Sequence, residues 1–226
     1  MGAQTVIDWV ATGTMLTGIG TIFGAGAVTS AAIIGRITFE QWRRQKQEER
    51  RMAVAEDVLV LVYKLREAFS AIRSPGMWPT EIDAMEEKLR KRGIISEDAK
   101  HGSNSALTWA QGILSRVDHY QDDFLAALTL APVAKALFGD DVEKELRVFW
   151  TQRNKLTLAA QRYADIARTP ESVFEARTDK LLDERREVEN VIWEGWGASE
   201  VDEFAAVIKG AVEVLEIHLL PIVRKG

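Results

Sequence analysis

Three histidines, 34 acidic residues and no cysteine are what this 226-residue chain offers for chemistry. Without cysteine there is no disulfide, thiolate metal site, cysteine nucleophile or iron–sulfur cluster. A di-iron bundle needs Glu-x-x-His units on facing helices, and the sequence has none. Glu216 and His218 are two apart, on different helix faces. Glu97 and His101 are four apart but in a polar loop. The nearest approach to a metal site is Asp118, His119, Asp122 and Asp123, with Asp118 and Asp122 sharing a helix face. A solvated helix face is the commoner meaning of that spacing. The Arg-x4–6-His arrangement of some helical RNases fails, because no His follows Arg153 at that distance. HExxH, G-x-x-x-x-G-K-[ST] and G-x-S-x-G are absent. The expectation is a non-enzyme with no cofactor and no metal.

Two tryptophan-bearing turns remain, Met77-Trp78-Pro79 and Trp193-Glu194-Gly195-Trp196-Gly197. Aromatics in turns anchor partners, and more often they lid the core of a small bundle. Trp78, Trp193 and Trp196 are therefore the candidate docking residues.

The elements that must carry these residues differ sharply along the chain. Residues 1–35 hold one charged side chain, Asp8. Residues 36–79 hold nine basic and six acidic side chains, and residues 80–226 hold 20 basic and 27 acidic ones. A nucleic-acid binder would show a dominant basic face, so nucleic acid is not an expected partner.

Trp9 through Gly35 form a 27-residue run without a charge, and about 20 mostly apolar residues suffice to cross a bilayer as a helix. Hydropathy is moderate, because Gly, Ala, Thr and Ser fill the spaces between apolar anchors. Gly13, Thr17, Gly20, Gly24, Ala27, Ala31 and Gly35 recur in steps of three and four, on one helical stripe. Small residues let helix backbones approach in lipid, and Gly20–Gly24 is a GxxxG unit. The expectation is a transmembrane helix over residues 1–36 that packs on itself or on another membrane protein. Two rivals are a cleaved signal peptide ending near Ala25-Gly26-Ala27 and a buried glycine-rich helix. The first lacks a basic n-region.

Arg36, Arg43, Arg44 and Lys46 follow the span, and Trp9 and Trp42 flank it. The positive-inside tendency places the C-terminal side in the cytoplasm and the N-terminus outside the inner (plasma) membrane. Membrane lipid is thus an expected partner; any small-molecule ligand is not readable. No Gly or Pro interrupts residues 36–74, so the helix is expected to continue through Ser74, roughly 95 Å at 1.5 Å per residue. Residues 37–51 read as a basic stalk in solvent rather than a segment lying on headgroups.

Residues 52–226 read as a cytoplasmic all-α domain, an antiparallel helical bundle. Met52–Ile72 is apolar on two faces, as a helix buried between neighbours is. Further helices are expected over 81–92 with Thr80 as cap, 106–130, 142–168, 170–194 with Thr169 as cap, and 200–219 with Ser199 as cap. Pro132 is expected to end the second of these in a turn closing at Gly139.

Trp42-Arg43-Arg44-Gln45-Lys46, Ala71-Ile72-Arg73-Ser74-Pro75, Val148-Phe149-Trp150, Ile192-Trp193-Glu194-Gly195 and Leu220-Pro221-Ile222 together resemble a loosely defined family of uncharacterised bacterial proteins. Its members have one N-terminal membrane helix and a helical body. The resemblance implies that architecture and brings no activity, ligand or catalytic residue. The functional expectation is a single-pass, membrane-anchored interaction or scaffold protein; the alternative is a pore-forming, membrane-perturbing effector with a helical sensor domain.

Overall fold

The structure, a computed structural model, describes residues 9–169, 178–195 and 202–224, without the side chains at 9–30, 32 and 33. The chain is all-α, with seven helices and no strand among the described residues. They are α1 (Trp9–Arg73), α2 (Pro79–Lys91), α3 (Ser105–His119), α4 (Gln121–Phe138), α5 (Asp140–Ala167), α6 (Thr178–Ile192) and α7 (Glu203–Val223). Two compact units divide the chain, Met1–Arg51 and Met52–Gly226. Among the described residues no helix is long and apolar enough to cross a membrane. The side chains of the expected span from Trp9 through Ser30 lie outside that description, so the fold gives the span no support.

The second unit is a helical bundle built on the 3.6-residue period of its apolar positions. Along α1, Ala55, Val58, Leu59, Val62, Leu65, Phe69 and Ile72 are buried, on the two faces that the sequence marks. Helix α5 is the hub, packing on α3, α4, α6 and α7. It buries Val142, Leu146, Phe149, Leu156, Ala160 and Tyr163 along one side. At the centre, the Phe69 ring stands 5.2 Å from that of Phe124, 6.4 Å from Phe149 and 5.3 Å from Phe204. One α1 side chain thereby joins α4, α5 and α7. Aromatic pairs at such distances add about 0.5–1.5 kcal/mol each beyond the area they bury.

Several boundaries differ from expectation for physical reasons. Trp78, extended at φ −71° and ψ 148°, precedes α2, and Pro79 occupies its first turn, so Thr80 is inside the helix rather than its cap. Proline belongs at that position because its missing N–H would be unbonded there anyway. The helix expected over 106–130 is broken at Tyr120, whose φ −97° and ψ 13° leave the helical region. Pro132 lies inside α4, which runs on to Phe138. Interior proline costs about 3 kcal/mol. Here α4 packs extensively on α5, and Ala127, Ala131 and Ala134 are fully buried. Tertiary burial outweighs the local penalty. Asp202 itself caps α7, its side chain accepting from the Ala205 N–H at 2.9 Å. The cap expected from Ser199 lies outside the described residues, as do Pro170 and the first part of the helix expected over 170–194. Thr169, expected as the cap of that helix, donates its hydroxyl back to the Asp165 carbonyl at 3.2 Å.

Candidate functional site

The first unit holds one described helical stretch with exposed side chains. From Ile34 to Trp42, every large apolar side chain stands in the open: Ile34 is 63% exposed, Ile37 51%, Phe39 60% and Trp42 54%. Ala31, Gly35, Arg36, Arg43, Arg44 and Lys46 are exposed too. The side chains of Trp9, Gly13, Thr17, Gly20, Gly24 and Ala27 lie outside the described residues. Phe39 and Trp42, three residues apart, bring their ring centroids within 5.9 Å. Arg36 Nε donates to Glu40 Oε1 at 3.2 Å, and Lys46 Nζ to Glu49 Oε2 at 2.7 Å. Two of the three acids in this stretch are thus held by its own cations. Phe39 was absent from the sequence-derived candidates, although its three-residue spacing from Trp42 marks the pair.

In the second unit the tryptophans separate. Trp78 is 78% exposed and stands clear of the core. It borders a recess of about 550 Å³ lined also by Ala71, Met85, Arg116, His119 and Tyr120. Trp193 is buried, edge-on to Trp109 at 5.0 Å and to Tyr163 at 6.4 Å. It lids the core and offers no exposed ring for docking. Trp196 lies outside the described residues.

The main polar feature of this unit is Arg73, the last residue of α1 and 1% exposed. Its Nε donates to the Val191 carbonyl at 2.8 Å. Nη2 donates to the carbonyls of Asn190 at 3.1 Å and Trp193 at 2.9 Å, and to Asp202 Oδ1 at 3.1 Å. Asp202 Oδ2 also lies 2.9 Å from Nη2, an ion-pair contact without hydrogen-bond geometry. The guanidinium carbon sits 4.5 Å from the Phe204 ring centroid. One cation therefore satisfies orphan carbonyls at the C-terminal end of α6 and pairs with the N-cap of α7. Burial pushes the Asp202 carboxyl up; the Ala205 N–H, the Arg73 guanidinium and the Gly195 N–H outweigh it and hold the group below its ordinary range.

Arg116 does the same work at the end of α1. It grips Glu81 with two bonds, at 2.8 and 2.9 Å, and donates to the carbonyls of Ser74 at 3.0 Å and Gly76 at 2.7 Å. Glu86, 2% exposed, accepts from the Gly102 N–H at 2.9 Å and contacts His101 Nδ1 at 3.0 Å and Arg90 Nη2 at 3.2 Å. The Gly102 N–H, ahead of His101 and Arg90, holds its carboxyl below the ordinary range against burial. These charges tie loops and helix ends together, although Arg90 Nε and Asp202 Oδ2 are buried without a hydrogen-bond partner.

A cleft of about 630 Å³ opens beside Arg73, lined by Arg66, Glu67, Ser70, Glu194, Phe204 and Lys209 among others. Ser70 donates to Glu194 at 2.8 Å, and Arg66 pairs with Glu67 at 3.2 Å. Arg66, Arg73 and Lys209 balance Glu67, Glu194 and Asp202 in its lining. The acidic cluster read from sequence is split by the break at Tyr120. Asp118 and His119 end one helix, and Asp122 and Asp123 begin another, so Asp118 and Asp122 no longer share a face. No group of three or more potential ligands that could hold a metal ion occurs among the described residues. Comparison with known protein families, curated proteins and solved structures finds no match for this chain.

Proposed function

We propose that this protein is a single-pass, membrane-anchored interaction protein. Residues Trp9–Gly35 cross the bilayer, and the small-residue face from Gly13 to Gly35 packs on a second copy or on another membrane protein. The helical bundle stands in the cytoplasm as a docking module, with the exposed Trp78 as its best anchor. One observation carries the reading: a 27-residue uncharged run, within a single helix, is followed at once by arginines. The exposed Ile34, Ile37, Phe39 and Trp42 support it. Apolar surface left in water costs about 25 cal/mol per Å², and contiguous exposed patches mark membrane or protein contacts.

Carbonate extraction of membranes from expressing cells tests the anchor. The full chain should remain in the pellet, and release into the supernatant would end the proposal. Gly24→Leu should weaken crosslinking between membrane-embedded copies or to a companion by blocking backbone approach. Crosslinking at wild-type yield would remove the packing role from that face.

A further inference from the structure

We infer that the α1 face bearing Phe39, Arg43 and Arg44 binds the headgroups of anionic phospholipids, with Trp42 on a neighbouring face of the same turn. This rests on the membrane-anchored reading and adds the class of lipid. The pairing pattern along the stretch carries it. Glu40 is held by Arg36 and Glu49 by Lys46, with Gln45 also donating to Glu49 at 3.1 Å. Arg43 and Arg44 make no hydrogen bond or ion pair among the described residues. Glu48 stands one turn beyond Arg44, yet no ion pair joins them. Two guanidiniums are therefore free beside an exposed aromatic pair.

Arg36, Phe39, Glu40, Arg43, Arg44 and Gln47 line one shallow recess of about 510 Å³. Their spacing of three and four residues puts them on one side of the helix. Guanidinium forks match phosphate oxygens with two parallel bonds, and indole and phenyl rings settle at headgroup level. Measured from Gly35, the helix rises about 6 Å to Phe39 and about 12–13.5 Å to Arg43 and Arg44, against a headgroup layer about 5–8 Å thick. For a helix leaving the bilayer after Gly35, the Phe39 ring meets the headgroup layer, and the two guanidiniums reach back toward the phosphates along their flexible stems.

The test uses the full chain reconstituted in phosphatidylcholine vesicles. Increasing amounts of acyl-brominated phosphatidylglycerol or acyl-brominated phosphatidylcholine replace the host lipid. Bromine quenches nearby tryptophan, and the Trp42 signal is the difference between wild type and Trp42→Phe. Phosphatidylglycerol should be preferred by about fivefold for each free arginine. Arg43→Gln with Arg44→Gln should bring the preference to near one, and Arg43→Lys with Arg44→Lys should keep most of it. Equal quenching by the two lipids, or a preference that survives the double glutamine variant, overturns the assignment. A chain that enters the vesicles and shows no preference sinks this inference alone. One that stays out of the vesicles sinks the anchoring reading with it.

Discussion

Arg73 is the residue whose loss should cost this protein most. Methionine in its place keeps the aliphatic bulk, leaves the carbonyls of Asn190, Val191 and Trp193 without their donor, and takes the cation from Asp202, which keeps the Ala205 N–H. Breaking a buried ion pair from one side typically costs about 3–5 kcal/mol, and urea unfolding of the full chain in mild detergent should show a loss of that size. Asp202→Asn should cost less, about 1–3 kcal/mol, because asparagine still caps α7 and Arg73 keeps its three carbonyls. Equal losses in the two variants would mean that the ion pair, rather than the carbonyl contacts, holds the junction. The buried carboxylates also set an acid limit. Glu86 is held below its ordinary value of 4.5 in the folded chain. The unfolded chain then binds more protons near that value, so the contribution is complete above the ordinary carboxylate range and is lost as pH falls through the folded pKa. Melting temperatures from pH 7 to pH 3 should fall less steeply for Glu86→Gln than for wild type, from a lower starting point at pH 7. Parallel curves would assign the acid sensitivity to other groups. Neither residue stands out in the sequence. Arg73 ends a helix, where any cation is ordinary, and its partners lie 117 to 129 positions away. Glu86 becomes special only when the loop at Gly102 folds onto it.

At the scale of elements, the corners depend on two glycines. Gly139 alone separates α4 from α5, at φ +100° and ψ −178°, a conformation that residues with a Cβ almost never adopt. Gly93 ends α2 at φ +64°, its N–H bonded to the Arg90 carbonyl at 2.8 Å and the Ile94 N–H to the Leu89 carbonyl at 3.0 Å. That is the paired closure of a left-handed helix C-terminus. An added Cβ would meet nothing within 4 Å at either position, so alanine there probes the backbone alone. Gly139→Ala should cost about 1–3 kcal/mol and Gly93→Ala about 1–2 kcal/mol. Thermal unfolding would show it, and unchanged stability would mean that the corners relax into another turn. Gly139 was legible as a stop, and Gly93 follows directly on the helix expected over 81–92, because glycine punctuates helices. The core faces of α1, α5 and α7 were legible because the 3.6-residue period is strong in each. The break at Tyr120 was not, since Asp118 through Gln121 contain neither glycine nor proline and the apolar period runs through. Pro132 misled for the opposite reason: a strong local signal was overruled by the packing of α4 on α5. Among the candidate docking residues, exposure separated Trp78 from Trp193, and no local pattern distinguishes a ring over the core from one in solvent.

For the molecule as a whole, the charge layout makes an orientation claim that can be read residue by residue. One acid precedes the uncharged run, six Lys and Arg lie between residues 36 and 51, and the bulk of the chain follows. Excess Lys and Arg stay on the cytoplasmic side, so the N-terminus should face outward and the bundle inward. The absence of cysteine gives a labelling experiment with no background. Ala3→Cys places a thiol ahead of the run, and Ser103→Cys places one in an exposed loop between α2 and α3. In intact cells a membrane-impermeant maleimide should label the first and spare the second, and permeabilised cells should show both. Labelling of Ser103→Cys alone in intact cells would invert the topology. Labelling of neither before permeabilisation would place the whole chain inside and remove the span. Converting Arg36, Arg43, Arg44 and Lys46 to glutamine separates the source of the orientation from its existence. That variant should expose Ser103→Cys in a fraction of molecules, because those four side chains supply most of the charge bias beside the membrane. If its pattern matches the parent, the bulk of the folded bundle rather than the local cations decides which side it occupies.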